Sequence, residues 1–272
     1  MEWINKKTII VTGASSGVGR EIADVLIRQH GCNVIGIGRT KEKLEQFKQS
    51  LTYMKDRFTY YSFDVGQRSN WKAFARKLEE DGINVHILIN CVAVLPIINK
   101  LDKFTDEQDN DCINSNYNSA RYAVAEMLPL LRKTNMYGIM NVVGFGALIP
   151  FIGTSTYAAS QAALLSYSKS MVGELGREMY VGYCVVGKSK TQLLRNQYDN
   201  KNKKLKKYFK KKPDIVAKQI VNSIQKQKIR TIVGADAKRM NIFTKLFPTL
   251  SIKFYEVMIK HSKLDMFDNV KM

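Results

Sequence analysis

The stretch Ile9–Gly19 reads I-I-V-T-G-A-S-S-G-V-G, and its layout decides the fold. The apolar run from Thr8 to Val11 predicts a strand. Ile22, Ala23, Val25 and Leu26 are spaced for one buried face, which predicts a helix over residues 20–29. A strand, a glycine-rich turn and a helix in that order present backbone N–H groups and a helix N-terminus to a phosphate. Gly13 suits the tight turn, Gly17 the close approach of a pyrophosphate, and Gly19 the packing of helix on strand. Thr12, Ser15, Ser16 and Val18 complete the expected phosphate-binding loop. Three glycines also serve a turn that holds no ligand. The strand–helix context favours dinucleotide binding.

Outward from this loop, a second strand is expected over Asn33–Ile37, followed by Gly38-Arg39-Thr40. In dinucleotide folds an acidic residue at this place binds the ribose 2′-hydroxyl. Here Gly38 offers no carboxylate to repel a 2′-phosphate, and Arg39 offers a guanidinium to pair with it. NADP, and NADPH over NADH, is therefore the expected cofactor; the plainer reading of Arg39 is a surface charge at a helix start. Lys41–Thr52 reads as an amphipathic helix with Leu44, Phe47 and Leu51 inward. Strands are expected at Phe58–Phe63, Val85–Ile89, Gly138–Val143 and Arg230–Val233. Helices are expected at about Asn70–Glu80, Asp109–Leu131 and Ile215–Gln225. This alternation predicts an α/β chain: a doubly wound, Rossmann-type parallel sheet in a single domain over residues 1–235. Residues 236–272 form an amphipathic, basic C-terminal helical extension.

The spacing T-G-x-x-x-G-x-G at Thr12, Gly13, Gly17 and Gly19, with Y-A-A-S at Tyr157–Ser160, resembles the short-chain dehydrogenase/reductase family. The resemblance covers about residues 5–235. It implies that Asp64 contacts the adenine amino group, that Asn116 holds a water in a proton relay, and that Tyr157 exchanges the proton with substrate. The run Asn90-Cys91-Val92-Ala93 stands where the family usually has N-N-A-G, so only Asn90 matches. Val92 and Ala93 add bulk where the backbone should lie against a ligand. Gly187 and Thr191 match the family segment beside the nicotinamide, whereas Val186 replaces its proline. Two catalytic positions differ. The family serine is Gly144 and the family lysine is Gln161. Gln161 retains the capacity to hydrogen-bond the nicotinamide ribose but carries no charge. Asn116-Tyr117 and the tail are similar to the 3-ketosphinganine reductase branch, which implies a lipid-like ketone.

The losses have a directional consequence. A free tyrosine titrates near pH ~10. A lysine one helical turn away would lower that value and supply tyrosinate for alcohol oxidation. Reduction needs only a neutral tyrosine as proton donor. The expected activity is therefore weak NADPH-dependent reduction of an apolar or lipid-like ketone by hydride transfer. Lys188 or Lys190 would restore a charge if either reached the site; solvated lysines are the plainer reading. The alternative function is a catalytically inactive cofactor-binding or scaffold protein.

Composition bounds the remaining choices. A chain of 272 residues, 45% hydrophobic, can bury a large α/β core. No apolar run reaches the ~18 residues of a membrane span. The N-terminus runs directly into the first strand, so no signal peptide is expected. Cys32, Cys91, Cys112 and Cys184 lack metal-ligand spacing and read as free thiols in a reducing cytoplasm. No metal site is expected. The formal net charge of +19 calls for an anionic partner or a lysine-rich solvated surface. Lys201–Pro213 holds a dense basic run without a base-reading motif, so nucleic acid is disfavoured. In Met240–His261, Phe243, Leu246, Phe247, Leu250, Phe254, Val257 and Met258 share one helical face, interrupted at Pro248 and flanked by Lys238, Lys245, Lys253 and Lys260. Such a segment lies in an anionic membrane interface, packs on the domain, or joins a homo-oligomer.

Overall fold

The computed structural model describes residues 3–187, 193, 212–261 and 264–270. Seven strands form one sheet: β1 (Thr8–Thr12), β2 (Asn33–Gly38), β3 (Phe58–Ser62), β4 (Ile87–Asn90), β5 (Gly138–Gly144), β6 (Tyr180–Val186) and β7 (Arg230–Val233). Their order is β3-β2-β1-β4-β5-β6-β7, and every pairing is parallel. The central strands are buried on both faces, which is why Ile9, Ile10 and Val11, and Ile87, Leu88 and Ile89, are continuous apolar runs with no exposed surface.

Helices α1 (Gly17–His30), α2 (Lys41–Ser50) and α7 (Pro213–Gln225) cover one face. Helices α3 (Arg68–Glu80), α5 (Ser119–Leu131) and the C-terminal end of α6 (Ser155–Leu175) cover the other. On that face Trp71 is fully buried, and its indole N–H donates to the Val65 carbonyl at 2.9 Å. Strand order reverses between β1 and β4, so a crevice opens there beyond the strands' carboxyl ends.

Several boundaries differ from the sequence reading by a few residues, and the changes around α1 and α4 have physical reasons. Helix α1 starts at Gly17, not at residue 20, because the last part of the glycine turn is already its first turn. The helix expected at Asp109–Leu131 starts earlier, with α4 (Asp106–Ile113), where Thr105 and Gln108 form a reciprocal capping box. A π-turn at Asn114–Asn118 then separates α4 from α5. After β7 come α8 (Ala235–Leu246) and α9 (Pro248–Lys260), and the chain folds back in a short 3-10 turn, Asp265–Val270. No helix among the described residues is long and apolar enough to cross a membrane.

Candidate active site

The crevice at the β1–β4 reversal is a cavity of about 450 Å³. One end is built by the first loop. Gly13 and Gly17 have φ of 72° and 57°, the left-handed region that favours glycine. A Cβ at Gly19 would lie 2.4 Å from the Gly13 carbonyl oxygen, so the helix meets the turn only with glycine there. Ser15, Ser16, Gly17, Val18 and Gly19 line the cavity, and Ser16 makes no side-chain cap to α1. The helix N-terminus thus faces the space in which a pyrophosphate would sit.

Gly38, Arg39, Thr40 and Lys43 line the same end. A Cβ at Gly38 would lie 3.0 Å from the Ser15 side chain, which explains the absence of an acidic residue at the end of β2. The Arg39 guanidinium is exposed and 3.8 Å from Asp111, a loose ion pair that leaves it able to meet a phosphate. Lys43 was not anticipated from sequence, although its place one helical turn after Arg39 was a readable signal.

Several expected binding residues support the walls instead of lining them. The Thr12 hydroxyl accepts from Cys91 N–H at 2.9 Å and fixes the end of β4. Asn90 donates to Asn141 at 2.8 Å, and Asn141 donates to Ser168 at 2.9 Å. This buried amide ladder joins β4, β5 and α6. Asp64 accepts from Gly66 N–H at 2.9 Å, and its neighbours Phe63 and Val65 line the cavity in its place. Asn116 grips Val94 from both sides: Val94 N–H donates to its Oδ1 at 2.6 Å, and its Nδ2 donates to the Val94 carbonyl at 2.9 Å. The same Nδ2 donates to Ser160 at 2.8 Å. These bonds commit the Asn116 side chain to holding the loop after β4.

Tyr157 lines the cavity centre. Its ring packs over two glycines: a Cβ at Gly144 would lie 2.2 Å from the Tyr157 hydroxyl oxygen, and one at Gly146 would lie 2.8 Å from its Cε1. The tyrosine hydroxyl therefore occupies the room that a serine at Gly144 would need. Gly144 itself has φ −73° and ψ 149°, ordinary extended backbone. Burial drives the Tyr157 pKa well above the usual tyrosine value, and proximity to Cys112 raises it further. Gln161 is fully buried and does not line the cavity. Its Oε1 accepts from Gly144 N–H at 2.6 Å. Its Nε2 is buried with no hydrogen-bond partner among the described residues. In this structure the side chain is turned to the strand end through its Oε1.

Cys91, Val92 and Ala93 line the cavity, and burial pushes the Cys91 thiol up to about 12. The far end is apolar, formed by Leu95, Ile98, Phe145, Phe151, Met266 and Phe267. The last two come from the 3-10 turn after α9, which no sequence signal tied to the site. Gly187 lines the cavity and its N–H donates to Val233 at 2.9 Å. Thr191, Lys188, Lys190 and the basic run at 201–211 lie outside the described residues.

Comparison with known proteins agrees with this layout. A short chain dehydrogenase family model matches residues 7–202. The chain is 26% identical over 185 residues to a benzil reductase ((S)-benzoin forming) of Saccharomyces cerevisiae, covering 66% of this chain and 70% of that protein. It is 30% identical over 178 residues to a very-long-chain 3-oxoacyl-CoA reductase of Kluyveromyces lactis, covering 62% of this chain but only 51% of that one. Among solved structures, the closed form of a serine dehydrogenase complexed with NADP+ superposes with a TM-score of 0.74 at 23% identity, over 84% of this chain and 94% of that chain.

Proposed function

The chain belongs to the short chain dehydrogenase family, and from that premise we propose that it is an NADPH-dependent reductase of apolar ketones. The observation that carries this reading is the continuity of one cavity. It runs from the phosphate loop with Arg39 and Lys43, past the Tyr157 hydroxyl, to the wall of Leu95, Ile98, Phe151, Met266 and Phe267. The residues present fit a phosphorylated dinucleotide: the α1 N-terminus and the Ser15–Gly19 backbone line the cavity, and two cations, Arg39 and Lys43, line it beside them. The bound dinucleotide supplies the hydride.

The chain's own residues do the rest. The α1 N-terminus and the Ser15–Gly19 backbone would hold the pyrophosphate. Arg39 and Lys43 would pair with a 2′-phosphate. The Asn116–Val94 clamp fixes the cavity-lining loop after β4 that would support the bound cofactor. The Tyr157 hydroxyl, neutral at ordinary pH and kept so by the desolvation that raises its pKa, donates its proton to the carbonyl oxygen as negative charge develops there. The apolar wall selects a ketone with aromatic or aliphatic substituents and excludes water. The site lacks a serine donor at Gly144 and a lysine charge at Gln161, which makes the reductase slow.

Those two absences favour the second reading, a cofactor-binding scaffold without turnover. NADPH consumption with a panel of apolar ketones, including diaryl diketones such as benzil and long-chain 3-oxoacyl thioesters, separates the two. Turnover that disappears in Tyr157→Phe supports the reductase. Tight NADPH binding with no turnover on any ketone supports the scaffold.

A further inference from the structure

Helices α8 (Ala235–Leu246) and α9 (Pro248–Lys260) each bury a single narrow side. Ala237 and Asn241 on α8, and Ser251, Tyr255 and Ile259 on α9, face the domain. Arg230 donates to Asn241 at 2.7 Å, and Tyr255 meets Phe151 with ring centroids 5.5 Å apart. The pair is thus fixed to the sheet edge and to the apolar rim of the cavity.

Its outer side is apolar and exposed. Ile242 and Leu246 stand one turn apart on α8; Leu250, Phe254 and Val257 fall on one face of α9, with Phe247 between the helices. Each of these six side chains is 50–66% exposed. Phe243 joins the two helices by a ring contact to Phe254 at 5.5 Å. A monomer in water gains nothing from such a face, so it has an occupant.

Charge identifies that occupant. Lys238, Arg239, Lys245, Lys253 and Lys260 are all exposed on the two helices, against the two carboxylates Asp236 and Glu256. A two-fold pairing of this face with itself would bring its lysines together. An anionic bilayer surface instead accepts apolar side chains between its lipids while lysines reach the headgroups. We propose that the α8–α9 face docks this protein onto anionic membrane surfaces, lying in the interface and not crossing it. Neither cofactor binding nor turnover is needed for this.

The test is flotation of the full chain with vesicles of phosphatidylcholine plus phosphatidylglycerol, against pure phosphatidylcholine. The parent is expected to float with the anionic vesicles and far less with the neutral ones. Leu246→Ser with Leu250→Ser and Val257→Ser should lower partition at least about tenfold, because the apolar area is lost. Lys245→Glu with Lys253→Glu should lower it about twenty-fivefold or more, about fivefold for each lysine lost. Both variants change exposed side chains only, and both should keep the parental Tm. Undiminished flotation of the folded apolar variant overturns the proposal. So does a parent that ignores vesicles. If such a parent forms a dimer in sedimentation that the apolar variant loses, the face belongs to a second copy.

Discussion

In the proposed reductase Tyr157 is the proton donor, and its surroundings favour reduction over oxidation. In this site no cation approaches its hydroxyl among the described residues, and burial holds its pKa well above the ordinary value. The donor form therefore persists through the neutral and mildly alkaline range. The reductive rate should stay flat between about pH 6 and 9 as far as this group is concerned, and alcohol oxidation should be undetectable there. A rate that falls with an apparent pKa near neutrality would mean a tuned tyrosine. Restoring the lysine is not a clean repair. Gln161→Lys gives up the acceptor that satisfies the part-buried Gly144 N–H, a loss of about 1 kcal/mol readable in denaturant midpoints. Gly144→Ser meets no backbone strain but must displace the Tyr157 hydroxyl, so alone it should reduce turnover and not raise it. At the cofactor's other end, Arg39→Ala and Lys43→Ala should each weaken NADPH about five- to tenfold and NADH little, read by fluorescence titration. Equal affinity of the parent for both dinucleotides would overturn the assignment of that end.

At the scale of elements, the π-turn at Asn114–Asn118 matters most. It sets Asn116 at the junction of α4 and α5, where its amide fastens Val94 and reaches Ser160 on α6. The loop after β4 has no regular structure of its own, so this clamp takes the place of a sheet partner. Asn116→Ala strands the Val94 N–H, leaves its carbonyl only the Cys112 thiol at 3.7 Å, and should cost about 1–3 kcal/mol. For a chain of this size that is a fall in Tm of about 2–5 °C. Asn116→Asp keeps the acceptor for Val94 N–H but sets a buried carboxylate oxygen against the Val94 carbonyl, and should cost at least as much. A side chain serving only a proton relay would lose turnover in both variants with Tm unchanged. The 3-10 turn Asp265–Val270 is a second such element, since Met266 and Phe267 close the apolar end of the cavity. Met266→Ala with Phe267→Ala should raise KM for apolar ketones while leaving NADPH affinity unchanged.

For the molecule as a whole, six of the seven strands were legible because their signals are local, whereas β6 was not read as a strand. Buried parallel strands must be short apolar runs, and the Gly13–Gly19 spacing marks where the first crossover turns. The site was less legible, because its geometry is a matter of pairs far apart in sequence. The T-G-x-x-x-G-x-G spacing located the phosphate loop, and Tyr157 was found by its motif. Asp64, Asn90 and Asn116 were found as well, but their hydrogen bonds to Gly66, Asn141 and Val94 make them supports of the cavity wall. Gln161 stands at the expected place and turns to the strand end, since Gly144 N–H needs its acceptor. The apolar far wall was hidden because it joins the loop after β4 to a turn near residue 267. What unites these parts is a single claim: a neutral, buried tyrosine supports ketone reduction by NADPH without a lysine. The most direct measurement is steady-state NADPH consumption across an apolar ketone panel, parent against Tyr157→Phe, over about pH 6–9. The expected result is slow turnover, level across that range and abolished by the substitution. Turnover that survives Tyr157→Phe, or none at all in a parent that binds NADPH tightly, would contradict it.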